Sequence, residues 1–229
     1  MDTITLTDLN FLSLLQLASP GLPVGAYSYS EGLEMLVEKG IISDSASLKH
    51  WLEAELRYGA IRLDAAVMVR AQQSASVDNI ANLCYWNLWL SAARETQELR
   101  TSSWQMGRSL SQLLGKLQPE IMPVVNAVGE PCNYAIAFGI AAAHWQINIK
   151  AALLAYLHSW ASNLMTAGVK LIPLGQTAGQ ELLLDLQPLI SSVVSEILAV
   201  EDDQLSCCSW GLSLASMQHE TQYTRLFRS

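Results

Sequence analysis

Residues Asn133–Trp145, NYAIAFGIAAAHW, carry the clearest signal of fold class in this chain. Ala135, Gly139 and Ala143 recur every four positions, and residues spaced by four lie on one face of a helix. Small side chains along such a face let a neighbouring helix approach closely. The stretch therefore predicts a helix that packs tightly against a second one.

Helical periodicity continues in both directions from this stretch, and strand signals are nearly absent. A stripe of Leu48, Leu52 and Leu56 marks a helix that starts near Ser45 and bends near Gly59. Further helices are predicted over residues 8–18, 30–39, 78–90, 95–117 and 148–168. Two more follow: one is interrupted near Pro188 and continues to residue 200, and the last starts at residue 202 or 206. Thr7, Asp78 and Asn148 are predicted to cap the helices that they precede. We therefore predict an all-α fold, a single-domain helical bundle of about ten helices over residues 1–229, with 219–229 as an interaction tail capable of flexibility.

The composition points to a protein that binds other proteins. Of 229 residues, 51% are hydrophobic and 15% are charged, and the formal net charge is -8. A surplus of apolar side chains is typical of protein–protein interfaces. Phosphate affinity rests on Lys and Arg, so an acidic chain is not expected to bind nucleic acid or an anionic membrane surface.

Membrane insertion and secretion are not expected. The longest apolar stretch, residues 134–160, is interrupted by His144, Gln146, Asn148 and Lys150, and is interpreted as two buried helices. The N-terminal residues MDTITLTDLN carry acids where a secretory leader has a basic region. The four cysteines, at 84, 132, 207 and 208, form no CxxC and predict free thiols in the cytoplasm.

No catalytic constellation is visible. Ser30 has Gly32 two positions after it but Ser28 two positions before it, so the glycine-flanked serine of a nucleophile elbow is missing. Gly179 is followed by Gln180 where a phosphate loop needs lysine and a hydroxyl. We predict a protein that is not an enzyme and has no cofactor.

A dedicated metal site is also not predicted. The histidines, His50, His144, His158 and His219, form no HxxxH or HExxH pattern. His50 and Glu53 share a helix face but are interpreted as a solvent-facing pair. Transient handling of a metal at an oligomer interface stays open.

Three segments have a composition that a helical core does not explain. The N-terminal motif is SPGLPVGAYSYSEGLE (19–34), the central motif is GVKLIPLGQTAGQELL (168–183), and the tail motif is HETQYTRLFRS (219–229). In the N-terminal motif, proline fixes backbone angles, glycine allows close approach and tyrosine offers flat contact area. The tail motif alternates cations with apolar anchors, which is typical of interface hot spots.

In order and spacing, these motifs closely resemble those of the urease accessory protein UreF family, SPxLPVGxFSYSxGLE, AVRLVPLGQTxGQ and HETQYSRLFRS. The resemblance covers essentially the whole chain. Tyr27 stands where many relatives have Phe, and Lys170 stands where many have Arg.

The resemblance implies an all-α, cytoplasmic, dimeric chaperone of nickel metallocentre assembly. Family members bind UreD (UreH in some organisms) on apo-urease, and they recruit the GTPase UreG and modulate its GTP hydrolysis. An alternative is that the chain is a GTPase activator that inserts a side chain into the UreG site, as Gln or Arg fingers do.

The motif positions expected to bind partners are Pro23, Gly25, Tyr27, Tyr29, Glu31, Lys170, Gln176, Gln180, Glu220, Tyr223, Arg225 and Phe227. We expect Lys170, Gln176 and Gln180 to share a face. We also expect Tyr27 and Arg225 to meet in the assembled complex, with the tail ordered against the N-terminal motif.

Overall fold

Helix starts in this protein follow local capping chemistry. In the computed structural model, which describes residues 7–228, Thr7 caps the first helix by accepting a hydrogen bond from the Asn10 amide (3.3 Å). Asn148 caps a later helix by accepting from the Lys150 and Ala151 amides. Both caps agree with the sequence prediction.

Eleven α-helices and no strand are found among residues 7–228. They are α1 (Asp8–Leu17), α2 (Leu33–Glu38), α3 (Ser45–Tyr58), α4 (Ala60–Ser76), α5 (Ile80–Ala93), α6 (Gln97–Leu117), α7 (Met122–Val128), α8 (Tyr134–His144), α9 (Ile149–Leu171), α10 (Gln176–Ala199) and α11 (Trp210–His219). The predicted all-α bundle of about ten helices is confirmed.

The centre of the bundle is the contact between α8 and α4. A Cβ atom added to Gly139 would lie 2.7 Å from both the Met68 carbonyl oxygen and the Ala71 Cβ, so the two backbones nearly touch. The close approach predicted from the small residues of α8 is therefore confirmed. Around this pair, α3, α5, α6, α9 and α10 complete the core.

Several boundaries differ from the sequence prediction. The last helix, α11, begins at Trp210 rather than at residue 202 or 206. Asn79, not Asp78, caps α5, because Asp78 adopts a left-handed turn (φ 53°). The second helix starts at Leu33 rather than near residue 30, because Glu31 and Gly32 both have positive φ. Pro188 does not interrupt α10; the neighbouring Leu186 and Leu189 pack into the core and hold the helix together.

The apolar stretch 134–160 forms two separate helices, α8 and α9, as predicted. By length and composition alone, one helix of the described part of the chain, α10, is long and apolar enough to cross a membrane. In this fold α10 packs against α9 and α3, and a core helix of a soluble protein passes the same test.

The α4–α8 contact generates a stability prediction. Gly139→Ala inserts a methyl group between two backbones, and we expect it to lower the free energy of unfolding by about 1–3 kcal/mol. Gly211→Ala on α11 is the control, because no atom lies within 4 Å of its added Cβ. Urea unfolding followed by circular dichroism measures both; equal stabilities of the two variants would contradict this packing.

Candidate functional site

The tail motif is held to the N-terminal motif through its main chain. The buried carboxylate of Glu34 accepts hydrogen bonds from the Leu226 amide (2.6 Å) and the Phe227 amide (3.0 Å), one on each oxygen. Hydrogen bonds from amides to a charged carboxylate are stronger than those to neutral acceptors. Because both bonds come from main-chain amides, Glu34 fixes the path of the tail independently of the side chains at these positions.

A second contact to Glu34 comes from His219, the fully buried last residue of α11. Its Nε2 lies 3.1 Å from Glu34 Oε2, and its Nδ1 lies 3.1 Å from Glu98 Oε2. Each ring nitrogen of His219 thus faces a carboxylate. The imidazole ring joins α2, α6 and α11 beneath the tail.

The central motif reaches the same place through Lys170 at the end of α9. Its Nζ lies 5.7 Å from the centre of the Phe227 ring, within the range of a cation–π contact. Phe227 itself is buried, and the next amide, that of Arg228, donates to the Ser28 carbonyl (2.8 Å). All three motifs therefore meet at one place on the surface.

The buried supports leave several motif side chains facing solvent. Tyr27 is 69% exposed, Leu226 is 65% exposed, and Tyr223 is fully exposed. Arg225 is exposed too, and its guanidinium contacts Glu98 (3.3 Å) and the carbonyls of Glu220 and Gln222. We call Tyr27, Tyr223, Arg225 and Leu226 the docking face. The Tyr27–Arg225 encounter was expected in an assembled complex and stays a prediction.

Other positions of the N-terminal motif shape the loop from within. Gly25 has φ 78°, a left-handed conformation that favours glycine, and Pro23 is exposed beside it. Tyr29 is buried, and its hydroxyl donates to Gln105 of α6. Glu31 points inward and accepts from Trp160 Nε1 (2.9 Å). Tyr29 and Glu31 thus support the docking face from within, and their contact with a partner stays a prediction.

Gln176 and Gln180 lie one turn apart on the first turns of α10, and both are exposed. Between them, Gly179 packs against Met165 and Val169 of α9, which brings the start of α10 beside the end of α9. Neither glutamine contributes to the hydrogen bonds that hold the tail among residues 7–228. They stay predicted partner contacts.

A small cavity of about 60 Å³ lies behind the N-terminal motif. Asp64 and Arg94 form a buried ion pair in its wall (2.6 Å), and Glu31 lines it as well. Burial raises the pKa of Asp64 and of Glu31, while Arg94 opposes both shifts. Asp64 Oδ1 and Arg94 Nε have no protein partner, and the cavity has room for a few waters that would satisfy them.

Glu55 is a further buried acid, at the junction of α3 and α4. Burial, assisted by the negative charge of Glu31, raises its pKa from 4.5 to about 7. Its Oε2 lies 3.4 Å from the Ser209 hydroxyl, next to the start of α11. The helix that leads into the tail is thus packed against a carboxyl group that resists ionisation.

No metal-binding arrangement is found in the part of the chain that the structure describes, where no three His, Cys, Asp or Glu side chains are grouped to hold an ion. The four cysteines are free, as predicted. Cys207 lies beside Glu95, and burial raises the pKa of its thiol to about 12. This thiol is therefore a poor nucleophile and a poor metal ligand at neutral pH.

Sequence reasoning missed two parts of the site. Glu34 closes the N-terminal motif, yet its role as acceptor of tail amides was not anticipated. Glu98 and Gln105 belong to α6, outside every motif. No local pattern marks them, because their partners in the tail and the loop are 121 and 76 residues away along the chain.

Comparisons with known proteins agree on one family. The sequence model of the UreF family matches residues 42–187. A protein of Nostoc sp. named Urease accessory protein UreF is 79% identical over 229 residues, covering 100% of both chains. Proteins of the same name from Microcystis aeruginosa and Alkalilimnicola ehrlichii are 60% identical (95% of this chain, 97% of the relative) and 41% identical (100% of both).

The Glu34 contacts predict how the tail opens. Glu34→Gln removes the charge that the Leu226 and Phe227 amides and His219 share, and we expect these two amides to exchange hydrogen about tenfold or more faster. Glu181→Gln, on the exposed side of α10, is the control. Hydrogen–deuterium exchange of the C-terminal peptide measures the effect, and unchanged protection in Glu34→Gln would show that Glu34 does not hold the tail.

The raised pKa of Glu55 predicts a pH dependence of stability. The native protein holds this proton more tightly than the unfolded chain, so the free energy of unfolding falls between pH 4.5 and about 7. Glu55→Gln removes this fall, and we expect the variant to be more stable than the parent by roughly 3 kcal/mol at pH 8, with little difference near pH 4.5. Denaturant unfolding across this range tests it, with Glu53→Gln as control; a constant offset at all pH values would contradict the assignment.

Proposed function

The chain belongs to the UreF family of urease accessory proteins, and from this premise we propose that it is a scaffold for nickel insertion into urease. It bridges a UreD/UreH-type protein on apo-urease and the GTPase UreG, and it modulates GTP hydrolysis by UreG. Nickel is the cargo of this assembly. The chain acts in the cytoplasm and catalyses no reaction of its own.

The observation that carries this proposal is the convergence of the three motifs on one surface. Glu34, His219 and Phe227 are buried and hold the tail, while Tyr27, Tyr223, Arg225 and Leu226 face outward. Aromatic and arginine side chains on a rigid support are the anchors that protein interfaces favour. A fixed tail also loses less entropy on binding than a free one.

An activator role for UreG is the second candidate, and Arg225 and Gln176 are the residues that favour it. Both are exposed, and Arg225 carries the kind of charge that stabilises a phosphoryl-transfer transition state. In the free chain Arg225 is paired with Glu98, so a finger role requires this contact to break. Plain docking requires no such rearrangement and is the simpler proposal.

The scaffold is proposed to be a homodimer. The first helix, α1, leaves a cluster of large apolar side chains exposed, Leu9 (75%), Phe11 (48%), Leu12 (60%) and Leu15 (52%). Two of them, Phe11 and Leu15, line an apolar groove formed with α9 and α10. A second copy of the chain covering this face accounts for the apolar surplus of the composition.

Removal of the tail tests the proposed bridging. When the chain is co-expressed with its cognate UreD-type and UreG-type proteins, we expect light scattering on size-exclusion fractions to show one assembly with two copies of this chain. Deletion of residues 220–229 or the double change Tyr223→Ala with Arg225→Ala should abolish or strongly weaken co-elution.

The control is Gln73→Ala, an exposed change on α4 away from the motifs, which should assemble normally. Single-turnover GTP hydrolysis by the UreG-type protein then separates the two candidates. If the chain is an activator, Arg225→Ala or Gln176→Ala lowers the hydrolysis rate without weakening binding. Failure of the unaltered chain to bind either partner would contradict the scaffold proposal.

A further inference from the structure

The start of α11 lies on the corner between α3 and α4, where two hydrogen bonds hold it. The Cys208 amide donates to the Tyr58 carbonyl (2.7 Å), and the Ser209 hydroxyl donates to the Glu55 carboxylate (3.4 Å). The first turn of α11 adds a small apolar cluster, separate from the main core, that consists of Ala60, Leu99 and Leu212. We call residues 207–212, which make these contacts, the hinge segment.

Glu55 is confined between this segment and the α3–α4 corner. It is 7% exposed, and a Cβ atom added to Gly59 would overlap its Oε2. Both α3 and α4 pack into the main core, whereas the linker before α11 contains only a short 3-10 turn at Asp202–Gln204. Water therefore reaches the Glu55 carboxyl group most easily when the hinge segment moves away.

The strongest charge effects on Glu55 come from other acids. Glu31 of the N-terminal motif and Glu95 between α5 and α6 both favour its neutral form. In the hinge segment, the Cys207 thiol lies 3.4 Å from Glu95 and stays protonated, since burial and the neighbouring acids raise its pKa to about 12. An ionised Glu55 would therefore be repelled from two sides.

The cation of this region is Arg94, and it is already paired. Its guanidinium contacts the Asp64 carboxylate at 2.6 Å, and both side chains are buried behind the N-terminal motif. One positive charge thus faces a group of several carboxyl groups. The surroundings of Glu55 offer less compensation for a negative charge than water does.

We propose that the hinge segment is a pH-sensitive switch governed by Glu55. The protonated carboxyl group stays covered by the start of α11. The ionised group is stabilised when residues 207–212 lift off the corner, because it then gains hydration and escapes the repulsion of its acidic neighbours. A rise in pH therefore favours the open form.

This switch bears on the tail because α11 leads into it. His219, the last residue of α11, contacts Glu34 and Glu98 beneath the tail, so movement at the start of the helix loosens the support at its end. The consequence for partners rests on the proposed function: a scaffold of this kind presents its tail in a more ordered form near pH 6 than near pH 8. The switch itself belongs to the free chain.

Hydrogen exchange of two amides in the intact free chain tests the switch. The Cys208 amide bonds to Tyr58, and the Ser213 amide bonds to the Ser209 carbonyl (2.8 Å), so both report on the hinge segment. With a Glu55 pKa of about 7 when closed and 4.5 when open, the opening equilibrium rises about tenfold between pH 6 and pH 8. We expect the exchange rates, corrected for the intrinsic pH dependence of amide exchange, to follow this rise.

Three variants assign the effect to Glu55. Glu55→Gln removes the titrating group, so the corrected exchange of both amides should no longer change with pH. Glu31→Gln removes a repelling charge and should move the rise to lower pH, while the control Glu53→Gln, on the same helix, should leave it in place. A rise that persists in Glu55→Gln, or no rise in the unaltered chain, overturns the proposal.

Low concentrations of urea separate local opening from global unfolding. Local opening exposes little surface, so exchange at Cys208 and Ser213 should depend only weakly on urea, whereas amides in the centre of α8 should depend on it steeply. Equal urea dependence at both places overturns the switch. Failure of the chain to assemble with its partners would contradict the proposed function and leave this result untouched.

Discussion

The organisation of the site depends on one carboxylate, that of Glu34. It is buried at the start of α2, accepts two main-chain amides from the tail, and contacts the imidazole of His219. Leaving a buried carboxylate without partners costs much free energy, so the tail amides and the His219 ring that contact Glu34 are held firmly in place. The tail is therefore part of the fold around this acid, although it follows the last helix.

This constraint explains why the docking face combines exposure with order. Phe227 goes inward beneath Lys170, and Arg228 pairs its amide with the N-terminal loop. The side chains from Tyr223 to Leu226, between the buried His219 and the buried Phe227, face solvent. An acidic chain thus presents an arginine and aromatic rings at a defined place, which suits a scaffold better than a reaction site.

Much of the fold was predictable because helical periodicity is local. The small residues of α8 predicted a close helix contact, which the structure shows with α4, and the Leu stripe of α3 marked a face that is fully buried. The errors occurred where a tertiary contact or an unusual backbone angle overrides local preference, as at Pro188 and at Asp78. Such effects depend on tertiary neighbours that the local sequence pattern does not identify.

The site was predictable only in part, for the same reason. The three motifs stand out by composition and by family resemblance, but the acids that hold them together do not. Glu98 lies in an ordinary helical segment and reaches His219 across 121 residues of chain. Long-range pairing of this kind leaves no periodic trace in the sequence.

A cryo-electron microscopy reconstruction of the chain with its UreD-type and UreG-type partners tests the central claim most directly. The account predicts partner density on Tyr27, Tyr223 and Arg225, with the Leu226 and Phe227 amides still on the Glu34 carboxylate. Partners bound elsewhere, with the tail displaced from Glu34 and touching neither of them, would contradict it.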